Sequence, residues 1–410
     1  MRLTAYEQGL LDGAAGEAVR RALVYQLQVG EFFQAEDFVP VRSAHLMADA
    51  EALRDDGVAL VEELAELGGR FCIPTTTNPR SVDLAHVLTL RQRPVWPARE
   101  RRLIAALGRL GAVQCHTCVN YQTLDPPLFG EHLAWGDTGA VIWANSMGGA
   151  RSNFEAGTAA LMAGLTGRVP RYGYHLDAVR RPSVRVEVTT PLPDLADWGA
   201  LGCWAGRRIA DCWTVPAFSG LSEATPDALK HLGAALASYG SCAMFHALGV
   251  TPEARDAAAA FGSAAPRARW TFGAGELAGV YQTFPPNGEG VDLVVFSAPQ
   301  LSSFELRDLA ARFEGRRVAR PTLVTVNQAV RADAQASGYA ASLERAGVVL
   351  LTGVCYYIMA PQDFAADHGW RRLVTNSAKL ANIIAGYGYH PVFRPTATCV
   401  QAALTGALPS

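Results

Sequence analysis

Residues 115–155 read CHTCVNYQTLDPPLFGEHLAWGDTGAVIWANSMGGARSNFE, and the rest of the chain is organised around them. Two thiols, two imidazoles, several carboxylates and an Asn-Ser pair ahead of an arginine share one stretch, broken by glycines rather than by helical periodicity. That is the composition of an active-site wall. The apolar run from Ala140 to Ala144 predicts a short buried strand, ended by Asn145, Ser146 and the pair Gly148-Gly149. Polar groups at the mouth of a buried strand line pockets in α/β folds. Asn145 and Ser146 are therefore candidate site residues, as is Arg151, whose planar fork of donors suits a carboxylate or phosphate. The plainer alternative is that Asn145 and Ser146 cap a helix beginning near Asn153.

Toward the N-terminus, Thr4 and Glu7 stand at capping-box spacing before an apolar stripe of Leu10, Leu11, Ala18, Ala22 and Tyr25, which predicts a helix or helix pair over 4–30. FVPVRSAHL (38–46) is strand-like and delivers His45 to its end. GGRFCIPTTTN (68–78) reads as a second strand that ends in Thr75, Thr76 and Thr77, with Cys72 inside it as a small buried hydrophobe. RERRLIAALGRL (99–110) is a basic helix whose arginines read as a solvated face.

Toward the C-terminus, VRVEVTT (184–190) alternates like an exposed strand, and PLPDLAD is a surface connection. TPDALKHLGAALASYGSCAMFHALG is a capped amphipathic helix running into a strand that carries Cys242 and His246. After the loop-rich 261–290, strands VDLVVFSA, PTLVTVN and VVLLTGVC alternate with helices at the spacing of parallel crossovers. No GxGxxG or GxxxxGKS follows these strands, so no nucleotide cofactor is expected. Near the end, Asn376, Ser377 and Lys379 open a helix where donors and charge favour an anion.

The whole chain has 410 residues, half of them hydrophobic, and a net charge of -2. Such a length allows two or three cores. Without runs of Lys or Arg there is no footprint for nucleic acid or an anionic membrane, and the expected partner is a small molecule or another protein. No stretch reaches the ~20 apolar residues of a membrane span. Eight scattered cysteines without an export signal point to reduced thiols and a cytoplasmic location.

Three blocks carry a resemblance: HLAWGDTGAVIWANSMGGARSNFEAGTAALMAGLTGRVPRYGYHL, GLSEATPDALKHLGAALASYGSCAMFHALGVTPEA and LVTNSAKLANI. In that order they resemble aconitase X, the family of iron–sulfur hydro-lyases that includes cis-3-hydroxyproline and mevalonate 5-phosphate dehydratases. The likeness runs from about Tyr6 to about Ala402. It implies an α/β fold, an aconitase-like large domain built of several α/β/α subdomains around a central cleft. The subdomains are expected at 1–114, 115–265 and 266–410. The resemblance also implies a small swivelling domain that contributes a serine to the site; this chain lacks one, so a separate small subunit is expected.

For the site, the resemblance implies that His45, Ser146 and Lys379 are catalytic. Thr75, Thr76, Asn145, Arg151, Asn376 and Ser377 bind a small carboxylate substrate, with Arg151 and Lys379 as anion clamps. Cys118 falls on one cluster cysteine, where the family's TCTPYL becomes TCVNYQ, and Cys355, at the end of VVLLTGVC, on another. Where the family reads GCPHxSxxEL this chain reads SAPQLSSFEL, so Ala298 and Gln300 stand in place of Cys and His. Cys115 or His116 is a possible substitute ligand. A methyl donates no electron pair. The expectations are therefore a hydro-lyase with an intact, altered or lost iron–sulfur site, or a metal-free relative with other lyase or isomerase chemistry, or a binding subunit.

Overall fold

The computed structural model describes residues 1–221, 224–286 and 290–408. Ser222 and Glu223, inside the second resembling block, lie outside them. Three groups of parallel strands with helices on their faces follow one another along the chain, an α/β architecture as expected.

In the first group, strand Ala44–Leu46 lies between Thr75–Thr77 and Ala134–Trp135, all parallel. Helices Ala5–Leu11, Glu17–Phe32, Ala50–Glu66, Val95–Leu110 and Thr158–Thr166 enclose it, burying Leu23, Val58, Leu103 and Leu110. The Thr4 capping box forms as its spacing predicts. The arginine face of Val95–Leu110 is not simply solvated: Arg99 pairs with Asp55 and Arg102 with Glu62, both at 2.7 Å, across to the neighbouring helix.

The second group is a four-stranded parallel sheet in the order His246–Ala247, Pro216–Ser219, Val184–Val188, Ala268–Phe272. Val184–Val188 is therefore an interior strand with three of its five residues buried, not an exposed one. Helices Leu195–Ile209 and Pro226–Gly240 pack so closely that a Cβ at Gly202 would lie 2.4 Å from the Leu232 carbonyl oxygen, which is why glycine stands there. The third group is a five-stranded parallel sheet in the order Val349–Thr352, Thr322–Val326, Leu293–Leu301, Arg372–Thr375, His390–Phe393, with the alternating helices the sequence predicts.

Several local readings are corrected. Ala140–Ala144 is not a strand: Thr138–Trp143 is an α-helix capped by Asp137, and Ala144–Gly148 continues it as one wide π turn. A short, wholly buried helix and a buried strand show the same unbroken apolar run. The helix expected near Asn153 begins at Thr158. The second N-terminal strand comprises only Thr75–Thr77, so Cys72 lies ahead of it and is exposed rather than buried. Ala134–Trp135 pairs with Ala44–Leu46 and so joins the sheet edge of the 115–170 region to strands that precede it.

Glu100 is buried inside this first group, and its Oε2 accepts the Ser81 N–H at 3.0 Å. Burial, helped by the nearby Asp49 carboxylate, pushes its pKa up to about 8. The unfolded chain ionises near the ordinary carboxylate value, so Glu100 stabilises fully below that value and loses this contribution as pH rises to about 8. Glu100→Gln keeps the acceptor and cannot ionise. Thermal unfolding should show a melting temperature raised by ~2 °C more at pH 8 than at pH 5; an equal shift at both pH values would contradict the assignment.

Candidate active site

A parallel strand ends by releasing its chain into a loop at its C-terminal edge, where α/β proteins place their chemistry. Here two such edges face each other. The first sheet delivers His45, Asn78 and Asp137, and the Cys115–Cys118 segment runs alongside, its Thr117 N–H bonded to the Thr77 carbonyl at 3.1 Å. The third sheet delivers Ser297–Gln300, Asn327, Cys355 and Asn376–Lys379.

Hydrogen bonds join the edges. The Gln300 N–H donates to Cys118 Sγ at 3.4 Å, and its side-chain amide donates to the carbonyls of His116 and Val354 at 3.2 and 3.1 Å. Asn327 Nδ2 donates to Thr117 Oγ1 at 3.3 Å, and Lys379 Nζ to Thr138 Oγ1 at 3.1 Å.

Cys118 and Cys355, remote in sequence, are buried neighbours. Interaction with Cys355, then burial, holds the Cys118 thiol well above the ordinary range. Burial would raise Cys355 too, but the Cys118 thiol, the Lys379 charge and the Ser297 hydroxyl, 3.6 Å from its sulfur, bring it down. Lys379 is itself only 4% exposed, with its ammonium 5.7 Å from the Tyr357 ring centroid. Asp137 acts electrostatically on His45 and on both thiols; one of its oxygens caps the following helix and the other has no partner.

His45 is fully buried. Its Nδ1 lies 2.8 Å from Thr76 Oγ1 and its Nε2 has no hydrogen-bond partner. Burial lowers its pKa to about 4 against the opposing pull of Asp137 and Asp125, so the imidazole is neutral at physiological pH.

Other candidate residues are placed elsewhere or spent on structure. Asn145 donates to the Ser152 and Ala243 carbonyls, both at 2.8 Å, and accepts the Ser152 N–H at 2.9 Å. Ser146 Oγ accepts the Phe245 N–H at 2.9 Å. Both fasten the π turn to its surroundings. Arg151 engages the His175 carbonyl at 3.1 Å and the carboxylate of the exposed Asp177. Thr75 bonds the Ile73 carbonyl, and Ser377 caps its helix and donates to the Ala298 carbonyl. Asn376 donates to Thr396 and lines a cavity of about 840 Å³ whose wall also includes Tyr121, Ser297 and Pro299. Asp137, Thr138 and Ser297 were not evident beforehand. The signal for Asp137 was its place three residues ahead of Ala140, an N-cap position hidden by the strand reading.

Cys115 donates to the Thr77 carbonyl at 3.3 Å, and burial raises its pKa. His116 Nδ1 meets Thr77 Oγ1 at 3.3 Å, and burial, with Arg80, lowers its pKa to about 3. Among the described residues no group of three His, Cys, Asp or Glu is arranged to hold a metal.

This is an α/β protein with its chemistry between the C-terminal edges of two parallel sheets. Its three parts match, in order, the aconitase X first domain (residues 1–178), second domain (182–282) and third domain (291–405). The chain is 37% identical to cis-3-hydroxy-L-proline dehydratase of Pseudomonas aeruginosa, over 100% of this chain and 71% of that protein. It is 31% identical to the phosphomevalonate dehydratase large subunit of Methanosarcina mazei, over 99% and 98%. The crystal structure of Thermococcus kodakaraensis aconitase X in its holo form superposes with a TM-score of 0.89 at 27% identity, covering 98% of this chain and 100% of that one. The chain belongs to the aconitase X family.

Members of that family are usually iron–sulfur enzymes. Among the described residues a cluster held by three cysteines does not fit the donors present, which are two thiols, with the methyl group of Ala298 where a third would stand.

Asn145 gives a direct check on the structural assignments. Asn145→Ala removes four buried hydrogen bonds, one of them from Arg180, and orphans their partners, so denaturant titration should show a loss of ~2–4 kcal/mol in unfolding free energy. A loss of catalytic rate at unchanged stability would instead place Asn145 on the substrate.

Proposed function

We propose that this chain is the large component of an aconitase X-type hydro-lyase that removes water from a small hydroxy-carboxylate or hydroxyproline-like substrate, working with a separate small subunit in the cytoplasm. The observation that carries the reading is the convergence of Lys379, His45, Asp137 and the thiol pair between the two sheet edges. The partner is supported by relatives named as large subunits, and the location by eight free cysteines. No helix among the described residues is long and apolar enough to cross a membrane.

Elimination of water beside a carboxylate needs a cation for the carboxylate, a base for the adjacent carbon-bound proton and an acid for the departing hydroxyl. Lys379 supplies the cation, and its buried position makes its charge act through low-dielectric surroundings. His45 supplies the base: its free Nε2 takes the proton, Asp137 favours the resulting imidazolium, and the same proton then passes to the leaving hydroxyl, which departs as water. Thr76 holds the ring by Nδ1.

Ala298 favours a second reading, in which the same groups move a proton without expelling water, as an isomerase or epimerase does.

The test is NMR in D2O on the chain with its small subunit, offered cis-3-hydroxy-L-proline and 5-phosphomevalonate. Loss of water supports the hydro-lyase, deuterium uptake without loss of water supports the second reading, and neither overturns both. Lys379→Met should lower kcat/KM by ~100-fold or more, whereas full activity in that variant would remove Lys379 from the site. Because His45 is in its basic form above about pH 4, the acid limb of kcat/KM should fall near that value rather than near the ordinary histidine value. A limb at the ordinary value, or one unchanged in His45→Gln, would exclude His45 as the base.

A further inference from the structure

We propose that the thiol pair of this protein holds no three-cysteine iron–sulfur cluster, and that residue 298 alone decides this. The inference rests on the family membership given above and concerns metal content, so it stands or falls separately from the hydro-lyase reading.

The geometry puts residue 298 in the thiol site without appeal to any alignment. Its two flanking contacts end on the two sulfurs: Ser297 Oγ is 3.6 Å from Cys355 Sγ, and the Gln300 N–H is 3.4 Å from Cys118 Sγ. Ala298 lies between them, fully buried and packed in the same cluster as Cys355. Its φ of 60° is in the left-handed region, which a residue with a side chain keeps only where surrounding contacts impose it. Here they do, since Ser377 Oγ donates to the Ala298 carbonyl and Gln300 is tied to two carbonyls across the site. This bulged stretch of the strand thus has the position and rigidity of a ligand-bearing segment, with a methyl group where the ligand would be.

Among the described residues no neighbour makes up the deficit. The Cys115 thiol is committed to the Thr77 carbonyl. Gln300 has one unpartnered oxygen, Oε1, but a neutral amide oxygen is a poor donor to iron in a sulfide cluster, which selects thiolate. Asp137 has a free oxygen, yet it forms no three-donor group with the thiols. Two soft donors remain, one fewer than the cluster needs.

The experiment compares wild type, Ala298→Cys and Ala298→Ser as full chains, purified anaerobically and reconstituted with iron and sulfide. Iron, acid-labile sulfide and visible absorption are measured per chain. Wild type and Ala298→Ser should stay at background, and Ala298→Cys should rise by about ten-fold or more, as expected for restoring a coordinating group. Stoichiometric iron and sulfide in wild type would overturn the proposal, as would a folded Ala298→Cys variant that stays at background. Should Ala298→Cys fail to fold, native mass spectrometry of anaerobic wild type decides. The mass of the polypeptide alone supports the proposal, and an added iron and sulfide mass refutes it. Dehydratase activity is assayed separately and enters neither outcome.

Discussion

The structure depends on two parallel sheets meeting at their C-terminal edges. Strand ends carry backbone donors and acceptors that the sheet no longer satisfies, and burying them unpaired costs about as much as losing the hydrogen bonds outright. Apposition lets each edge satisfy part of the other: Gln300 reaches the His116 carbonyl and the Arg80 backbone N–H reaches the Gly353 carbonyl at 2.8 Å, while Asn327 and Lys379 add side-chain bonds to the Thr117 and Thr138 hydroxyls. The same joint gathers groups from distant parts of the chain into one buried space. Several of their polar atoms are left without a partner, among them His45 Nε2, Asp137 Oδ2 and Gln300 Oε1. Such atoms are rare in a core built only for stability.

The middle group of strands contributes from outside the joint. Lys230, on helix Pro226–Gly240, is almost wholly buried and pairs with Glu305 and, at 3.1 Å, with Asp227, while His231 meets Glu305 at 2.7 Å. Burial alone would raise the Glu305 carboxyl, but Lys230 and His231 bring it down to about 2. Buried ion pairs of this sort add little net stability and cost much when broken on one side. Their effect is positional. Lys230 also donates to the Gln300 carbonyl at 3.4 Å, and Glu305 completes the capping box of Ser302. The helix of the second group therefore fixes the strand end that carries Ala298 and Gln300 in the third.

Much of this was legible in the sequence, for reasons that differ by element. The Thr225-Pro226 start and 3.6-residue pattern of the 226–240 helix, and the strand–helix alternation after 291, follow from local periodicity and came out as read. The run at 140–144 did not, because burial on all sides erases the period that separates helix from strand. Side-chain direction was least legible. Asn145 and Ser146 follow an apolar run as pocket residues do, yet the π turn aims both at backbone groups. Arg151 looked like an anion clamp by type, but its guanidinium meets a carboxylate only a short way along the chain. The thiols at 118 and 355 entered through family resemblance, since spacing says nothing about which strand ends will face each other.

Why the site tolerates alanine at 298 follows from what holds the loop. In small metal-dependent domains the donors converge only when the metal is bound, so losing a ligand unfolds the protein. Here the convergence has other causes. Ser377 fixes the Ala298 carbonyl, Lys230 fixes the Gln300 carbonyl, the Gln300 amide spans two further carbonyls, and strand Leu293–Leu301 is anchored between two parallel neighbours. None of these contacts passes through the side chain at 298. Replacing a sulfur there by hydrogen removes a donor while leaving the loop, the facing edges and the charges of Lys379 and Asp137 in place. The fold is thus insensitive to the side chain at 298, and a donor can be lost there without the architecture changing with it.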